Sequence, residues 1–239
     1  MPERPAEDAS RLSSLAAVLR GNLRLLALLF AGLLLPLWLF AALADEVHEL
    51  EEMVFDDALL LWLQGQAAPR LDAFFVFVSR IGYAWGVIPV DIALCLALLL
   101  VRRWRESAFA IVALAGSALL NLATKAFFQR QRPSLWESIA PESTFSFPSG
   151  HAMGSMTLAA VLILLAWPTR WRWPVLVLAL TFTGLVGLSR LYLGVHYPSD
   201  VLAGWSAGLA WTVGVYLVLF RRRRPWRGVA RGDAGVPVR

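Results

Sequence analysis

Long apolar blocks, several of them long enough to cross a lipid bilayer, constrain this chain more than any other feature. Hydrophobic residues make up 58% of the 239 residues, and charged residues only 16%. A soluble domain carries about a quarter charged residues, and a helix needs ~20 apolar residues to cross the hydrocarbon core. The sequence therefore predicts one all-α domain over residues 1–239, built as a membrane-embedded bundle of transmembrane helices.

Six of the apolar blocks are predicted to span the membrane. They lie near residues 22–44, 83–101, 107–128, 149–167, 174–191 and 198–220. The first block is long and is not followed by a small-residue cleavage site, so it is interpreted as an uncleaved helix. Between the first two spans, residues 46–64 place apolar side chains at helical spacing opposite an acidic face. This pattern is typical of an amphipathic helix at the membrane interface.

The distribution of basic residues predicts the orientation of the chain. Sixteen of the 22 Lys and Arg residues fall on the side that holds both termini, including those of the basic tail 221–239. Basic residues are enriched in short cytoplasmic loops, so both termini are predicted to be cytoplasmic. The formal net charge is +5, but the basic residues cluster at the ends of apolar blocks, which argues against a nucleic-acid partner.

Cysteine and metal-ligand patterns exclude two further classes of site. Cys95 is the only cysteine, so the chain forms no intramolecular disulfide. The predicted outer side carries no cluster of Asp, Glu and His at metal-ligand spacing. We therefore expect neither a metal nor another cofactor.

Lys125 and Arg132, at the end of the third span, form the first motif with chemical content. They are seven residues apart, so they share nearly the same face, with Cα atoms ~10 Å apart, if the helix persists to Arg132. Pro133 biases Arg132 out of helix and is expected to end the span about there. Their flexible stems allow both charges to converge on one anion. A pair of interfacial basic residues is the simpler alternative. Lys125 is, however, the only lysine beside 21 arginines, which indicates a position where the two side chains do not interchange.

The second motif is Pro148-Ser149-Gly150-His151, at the start of the fourth span. The free N–H groups and positive dipole of a helix N-terminus favour an anion. Gly150 allows close approach to the backbone, Ser149 offers a hydroxyl, and His151 can pass a proton to a departing oxygen. By itself the motif is equally compatible with a capped helix carrying an interfacial histidine.

The third motif contains Arg190, at the end of the fifth span, and His196 and Asp200, at the start of the sixth. A carboxylate four residues after His196 can accept the Nδ1 proton, which leaves Nε2 available as a nucleophile. Asp200 also suits a helix N-terminus on charge alone, and both explanations can hold together. All three motifs reach the same predicted membrane face, and together they provide what phosphoryl transfer requires: cations, an acid and a nucleophile.

These motifs resemble the type 2 phosphatidic acid phosphatase superfamily. Lys-x6-Arg-Pro, Pro-Ser-Gly-His and Ser-Arg-x5-His-x3-Asp occur in that order with their spacings intact, between Lys125 and Asp200. The resemblance implies a six-helix fold with the site at the outer ends of helices three to six. It also implies that His196 attacks phosphorus, that His151 protonates the leaving oxygen and that Asp200 orients His196. The implied phosphate-binding residues are Lys125, Arg132, Ser149, Gly150, His151 and Arg190.

The implied substrate is a lipid phosphate or pyrophosphate of the undecaprenyl pyrophosphate, phosphatidylglycerol phosphate or phosphatidic acid type. The implied location is a bacterial plasma membrane, with the site on its outer face. Two alternatives remain open: a lipid phosphotransferase with an acceptor other than water, and a non-enzymatic protein that binds or transports an anionic lipid. Binding alone requires the cations but not His151, His196 and Asp200, so the enzyme is favoured.

Two further segments are weaker candidates. The loop 134–147 contains aromatic and acidic residues that suit contact with a lipid head group, although interfacial aromatic residues are common without such a role. Residues 46–64 are a candidate cover over the site.

Overall fold

The computed structural model describes residues 22–23, 25–49 and 53–220, and over these residues the chain folds into eight helices without β-strands. The basic tail 221–239 and the arginines of the N-terminal segment lie outside the described residues. The helices are α1 (Leu25–His48, with a π-helical turn at Phe30–Leu34), α2 (Val54–Gln64), α3 (Pro69–Ile81), α4 (Val87–Leu100), α5 (Trp104–Phe128), α6 (Gly150–Ala166), α7 (Arg172–Tyr192) and α8 (Pro198–Leu219).

The six predicted spans all coincide with apolar helices. Helices α1, α5, α7 and α8 are long and apolar enough to cross a membrane, whereas α4 and α6 are apolar but have only 14 and 17 residues. The chain is therefore an all-α, multi-pass membrane protein. A count of six membrane spans stays a prediction.

The predicted helix over residues 46–64 is divided in the structure. Helix α1 continues to His48, and a separate helix, α2, begins at Val54. Helix α2 packs against α7 and α8 and buries Asp56, Leu60 and Leu63. One face of α2 thus belongs to the helix bundle, and its location at the membrane interface stays a prediction.

Helix α6 is the centre of the bundle and packs against α4, α5, α7 and α8. Two glycines of α8 allow close contact with α6: a Cβ atom at Gly204 would lie 2.7 Å from the Ser149 carbonyl oxygen, and one at Gly208 would lie 2.7 Å from that of Met153. Small residues at this spacing allow membrane helices to approach backbone to backbone. The contact fixes the start of α6 beside the start of α8, where the second and third motifs lie.

Candidate active site

The three motifs meet at one end of the bundle. Lys125 lies in the last turn of α5, Arg132 in the loop that follows, and Ser149, Gly150 and His151 at the start of α6. Arg190 lies near the end of α7, His196 in the α7–α8 connection and Asp200 in the first turn of α8. The predicted convergence of these residues is therefore observed.

The helix of the third span ends at the predicted residue and does not persist to Arg132. Helix α5 ends at Phe128 because Gln129 adopts a left-handed conformation with φ of 48°, and its N–H donates to the Lys125 carbonyl. Lys125 is buried, and its Nζ donates to the carbonyls of Phe145 and Ser146. Lys125 thus anchors the loop before α6, and its contact with phosphate stays a prediction.

Arg132 joins the α5–α6 loop to the α7–α8 connection. Its Nε donates to the Thr144 carbonyl at 2.7 Å, and its Nη1 donates to the Val195 carbonyl at 2.6 Å. The same Nη1 lies 3.1 Å from His196 Nε2, and Nη2 donates to Glu142 Oε2 at 2.9 Å. Arg132 therefore contacts both the proposed nucleophile and an acidic side chain.

Glu142 holds its carboxylate between two arginines. One oxygen accepts from Arg132 and the other from Arg190, and the second oxygen lies 3.8 Å from His151 Nδ1. Arg190 is fully buried, and its Nη1 donates to the Ser79 hydroxyl of α3. Within the described residues its Nε has no hydrogen-bond partner. The Glu142 carboxylate is thus an anion that already lies among three predicted site residues, Arg132, His151 and Arg190.

The start of α6 is held by packing as well as by capping. The Ser149 hydroxyl is fully buried and accepts from the Ala152 N–H at 3.5 Å, while the Ser149 N–H donates to the Asp200 carbonyl at 3.0 Å. A Cβ atom at Gly150 would lie 3.0 Å from Asn121 Oδ1, so glycine fits a close contact with α5. These contacts explain Ser149 and Gly150 structurally, and their binding of phosphate stays a prediction.

His196 is almost completely buried, and its Nδ1 lies 3.5 Å from Asp200 Oδ2. This distance is longer than a normal hydrogen bond. The Ser146 hydroxyl lies between the two residues: its Oγ is 3.3 Å from His196 Nδ1 and donates to Asp200 Oδ2 at 2.5 Å. Ser146 therefore links the pair, and no sequence pattern indicated this role because serine is common in loops.

Burial and the nearby charges of Arg190, Arg132 and Lys125 lower the pKa of His196 well below its ordinary value. The ring is therefore neutral near pH 7. In a neutral ring whose Nδ1 side faces Ser146 and Asp200, Nε2 carries the lone pair, which faces Arg132 Nη1 at 3.1 Å.

Arg130 is a second residue that the sequence did not assign to the site. Its Nη1 donates to Asp200 Oδ1 at 2.7 Å and its Nη2 to Asp56 Oδ2 at 3.0 Å. These charged hydrogen bonds raise the pKa of Arg130 against the effect of its burial. A signal was present in the sequence: Arg130 is one of four cations at the predicted outer ends of spans three and five, where positive charge is not expected.

Comparison with known proteins identifies the family. The sequence model of the PAP2 superfamily matches residues 106–224. The chain is 28% identical over 175 residues to phosphatidylglycerophosphatase B of Bacillus subtilis, covering 71% of this chain and 86% of that relative. It is 34% identical over 145 residues to the undecaprenyl-diphosphatase of Sulfolobus acidocaldarius, covering 58% of this chain and 66% of that relative.

A solved structure supports the same assignment. The crystal structure of a transmembrane PAP2-type phosphatidylglycerolphosphate phosphatase from Bacillus subtilis matches with a TM-score of 0.69 and 26% identity, and the match covers 79% of this chain and 98% of that one. The chain belongs to the PAP2 superfamily and is a phosphoric ester hydrolase. The resemblance drawn from the three motifs is confirmed.

Proposed function

We propose that this protein removes phosphate from a lipid phosphate or pyrophosphate through a phosphohistidine at His196. The position of the Glu142 carboxylate carries the proposal. Its oxygens lie where Arg132 and Arg190 donate and where His151 approaches, and a phosphate can accept the same hydrogen bonds with a third oxygen to spare. The unpartnered Nε of Arg190 is a further donor for that oxygen.

In the first step, His196 Nε2 attacks phosphorus in line with the lipid oxygen. The P–N bond forms, the P–O bond breaks, and the electron pair leaves on the lipid oxygen, which takes a proton from His151. For a pyrophosphate substrate the leaving group is the lipid monophosphate. Arg132 and Arg190 neutralise the charge on the equatorial oxygens, which is the main contribution that an enzyme makes to this reaction.

In the second step, water attacks the phosphohistidine. His151, now neutral, accepts a proton from the water, the P–N bond breaks, and inorganic phosphate leaves. His151 thereby regains the proton that it lost, and His196 regains its lone pair. Ser146 and Asp200 stabilise the positive charge that the His196 ring carries while it is phosphorylated.

Two observations support a lipid as the substrate. The first is the pair of relatives named for lipid phosphates. The second is an apolar cavity of approximately 560 Å³ lined by residues of α1, α5, α6 and α8, among them Leu37, Leu120 and Met153. Met153 lies two residues after His151, so the cavity reaches the end of α6 that holds the anion site, but on a different face of that helix. The arginine distribution supports a site on the outer face of the plasma membrane, with both termini inside.

Purified protein in detergent, supplied with each candidate lipid and a metal chelator, tests the function. We expect release of inorganic phosphate from at least one of phosphatidylglycerol phosphate, undecaprenyl pyrophosphate and phosphatidic acid, and unchanged rates with the chelator. An assay with added alcohol acceptors separates hydrolysis from transfer. No phosphate release from any of the lipids contradicts the proposal, and a loss of activity that Mg²⁺ restores contradicts the metal-independent mechanism.

Glu142→Gln tests whether a substrate phosphate must displace the carboxylate. Charge-assisted hydrogen bonds are about twice as strong as neutral ones, so an amide competes less well for Arg132 and Arg190. If the carboxylate occupies the site nine-tenths of the time, its removal tightens apparent phosphate binding by about tenfold. We therefore expect competitive inhibition by inorganic phosphate to strengthen by about that factor. Glu137→Gln, at an exposed position in the same loop, is the control, and weaker inhibition in Glu142→Gln would show that the carboxylate assists binding.

A further inference from the structure

Asp56, Arg130 and Asp200 form a line of ion pairs on the side of Asp200 that faces away from His196. Asp56 and Asp200 are buried, with 3% and 0% of their surface exposed. The Arg130 guanidinium bridges them, with one nitrogen 2.7 Å from Asp200 Oδ1 and the other 3.0 Å from Asp56 Oδ2. Its Cζ lies 4.2 Å from the centre of the Tyr197 ring. None of these contacts is with the anion site around Glu142.

Asp56 is bound to the start of α8 as well as to Arg130. It accepts from the Ser199 N–H at 2.9 Å and from the Ser199 hydroxyl at 2.5 Å. Arg130 also donates to that hydroxyl at 2.7 Å. Two buried carboxylates share one guanidinium, and the N-terminus of α8 compensates part of the remaining negative charge. A buried carboxylate persists only when it is paired in this way.

The two oxygens of Asp200 have different partners. Oδ1 accepts from Arg130, whereas Oδ2 accepts from Ser146 and from the Tyr197 N–H at 2.8 Å. The guanidinium thus fixes the rotation of the carboxylate, and that rotation turns Oδ2 toward Ser146 and His196. Because Arg130 extends from a loop, its own position depends on what holds its second nitrogen. Asp56 holds it.

We propose that Asp56 and Arg130 are positioning residues that keep Asp200 oriented toward His196. Helix α2 then completes the active site from outside the three motifs and outside the segment 106–224 that matches the family. The inference rests on the proposed function only in that His196 is the nucleophile. Neither residue touches the phosphate, so their effect passes through Asp200.

Asp56→Asn and Asp57→Asn form a matched pair for the test, since Asp57 is the exposed neighbour on the same helix. We expect Asp56→Asn to lower kcat by about 10- to 100-fold, the effect of a small misplacement of a catalytic group. We expect KM to stay within about twofold because the phosphate-binding arginines are untouched. Asp57→Asn is expected to match the wild type.

The double variant Asp56→Asn/Asp200→Asn distinguishes positioning from general damage. If Asp56 acts through Asp200, its removal changes kcat by less than about twofold once Asp200 is already an amide. An undiminished loss of kcat in the Asp200→Asn background overturns the inference. Arg130→Lys provides the same comparison where Asp56→Asn does not fold, because an ammonium keeps the charge but lacks the planar fork that joins two carboxylates.

Histidine-selective ¹⁵N NMR gives a readout that does not need activity. The signals of His196 are identified by their loss in His196→Asn. We expect the ¹⁵N chemical shifts of the His196 ring in Asp56→Asn to differ from those of the wild type, and those in Asp57→Asn to equal them. A wild type that hydrolyses no lipid phosphate refutes the proposed function and leaves this test intact. If the wild type is active and Asp56→Asn has a normal kcat and unchanged His196 chemical shifts, the positioning role alone is refuted.

Discussion

His196→Ala is expected to lower kcat by about 10³-fold or more, because the variant lacks the atom that forms the bond to phosphorus. Removal of a nucleophile costs more than removal of a group that only orients it. The ring is buried and neutral, so its loss leaves no unpaired charge in the bundle. The variant is therefore expected to fold, and its KM for a lipid phosphate is expected to stay close to that of the wild type.

Isotopically labelled substrate and an alkaline quench, which preserves phosphohistidine, measure the intermediate directly. We expect label on the wild-type protein and none on His196→Ala. His48→Ala is the control, since His48 is an exposed histidine at the end of α1. Retention of a tenth of the wild-type rate in His196→Ala, or label on a peptide that contains His151, excludes His196 as the nucleophile.

The site residues that could be predicted from the sequence are those whose positions follow from local sequence patterns. Lys125, His151 and Asp200 each lie within a turn of a helix end, and helix ends follow from apolar length and capping residues. Successive spans cross the membrane in opposite directions. Two motifs that are separated by an even number of spans therefore lie at the same membrane face. Long-range convergence was thus predictable without any knowledge of side-chain contacts.

The part that the sequence did not predict depends on contacts between distant residues. The hydrogen bonds between Asp56 and Ser199 join positions 143 residues apart, and periodicity carries no information about such a pair. The acidic face of residues 46–64 suggested a solvated surface, yet Asp56 points into the bundle. The position of Arg132 also depends on a local detail, because the left-handed Gln129 ends α5 at Phe128 and leaves Arg132 in the loop beyond it.

The role of Glu142 could not be predicted from the sequence for a different reason. The sequence placed it in a loop with a candidate head-group contact, and an acidic residue is not expected in a site for anions. In the structure its carboxylate pairs with the partly buried Arg132 and the buried Arg190, which would otherwise lack an anionic partner at this site. Burial of an unpaired charge costs several kcal/mol, so the site stays folded without substrate because the loop provides its own anion.

His151→Asn is expected to reduce hydrolysis of a lipid phosphate by about 10²- to 10⁴-fold, the usual contribution of a general acid or base. His151 lies in the first turn of α6 beside the Tyr83 ring, with 4.9 Å between ring centres. Its Nδ1 faces the carboxylate that occupies the anion site. A lipid alkoxide is a poor leaving group and needs the proton that His151 provides, whereas p-nitrophenolate leaves without one.

The size of the loss should therefore depend on the leaving group. For p-nitrophenyl phosphate, kcat/KM reports only the formation of phosphohistidine, and we expect it to fall far less in His151→Asn than the value for the lipid. The second step still lacks its base, so kcat should fall for both substrates and labelled phosphohistidine should accumulate after an alkaline quench. Equal losses in kcat/KM for the two leaving groups would assign His151 to binding, because a residue that only holds phosphate does not distinguish the oxygen that departs.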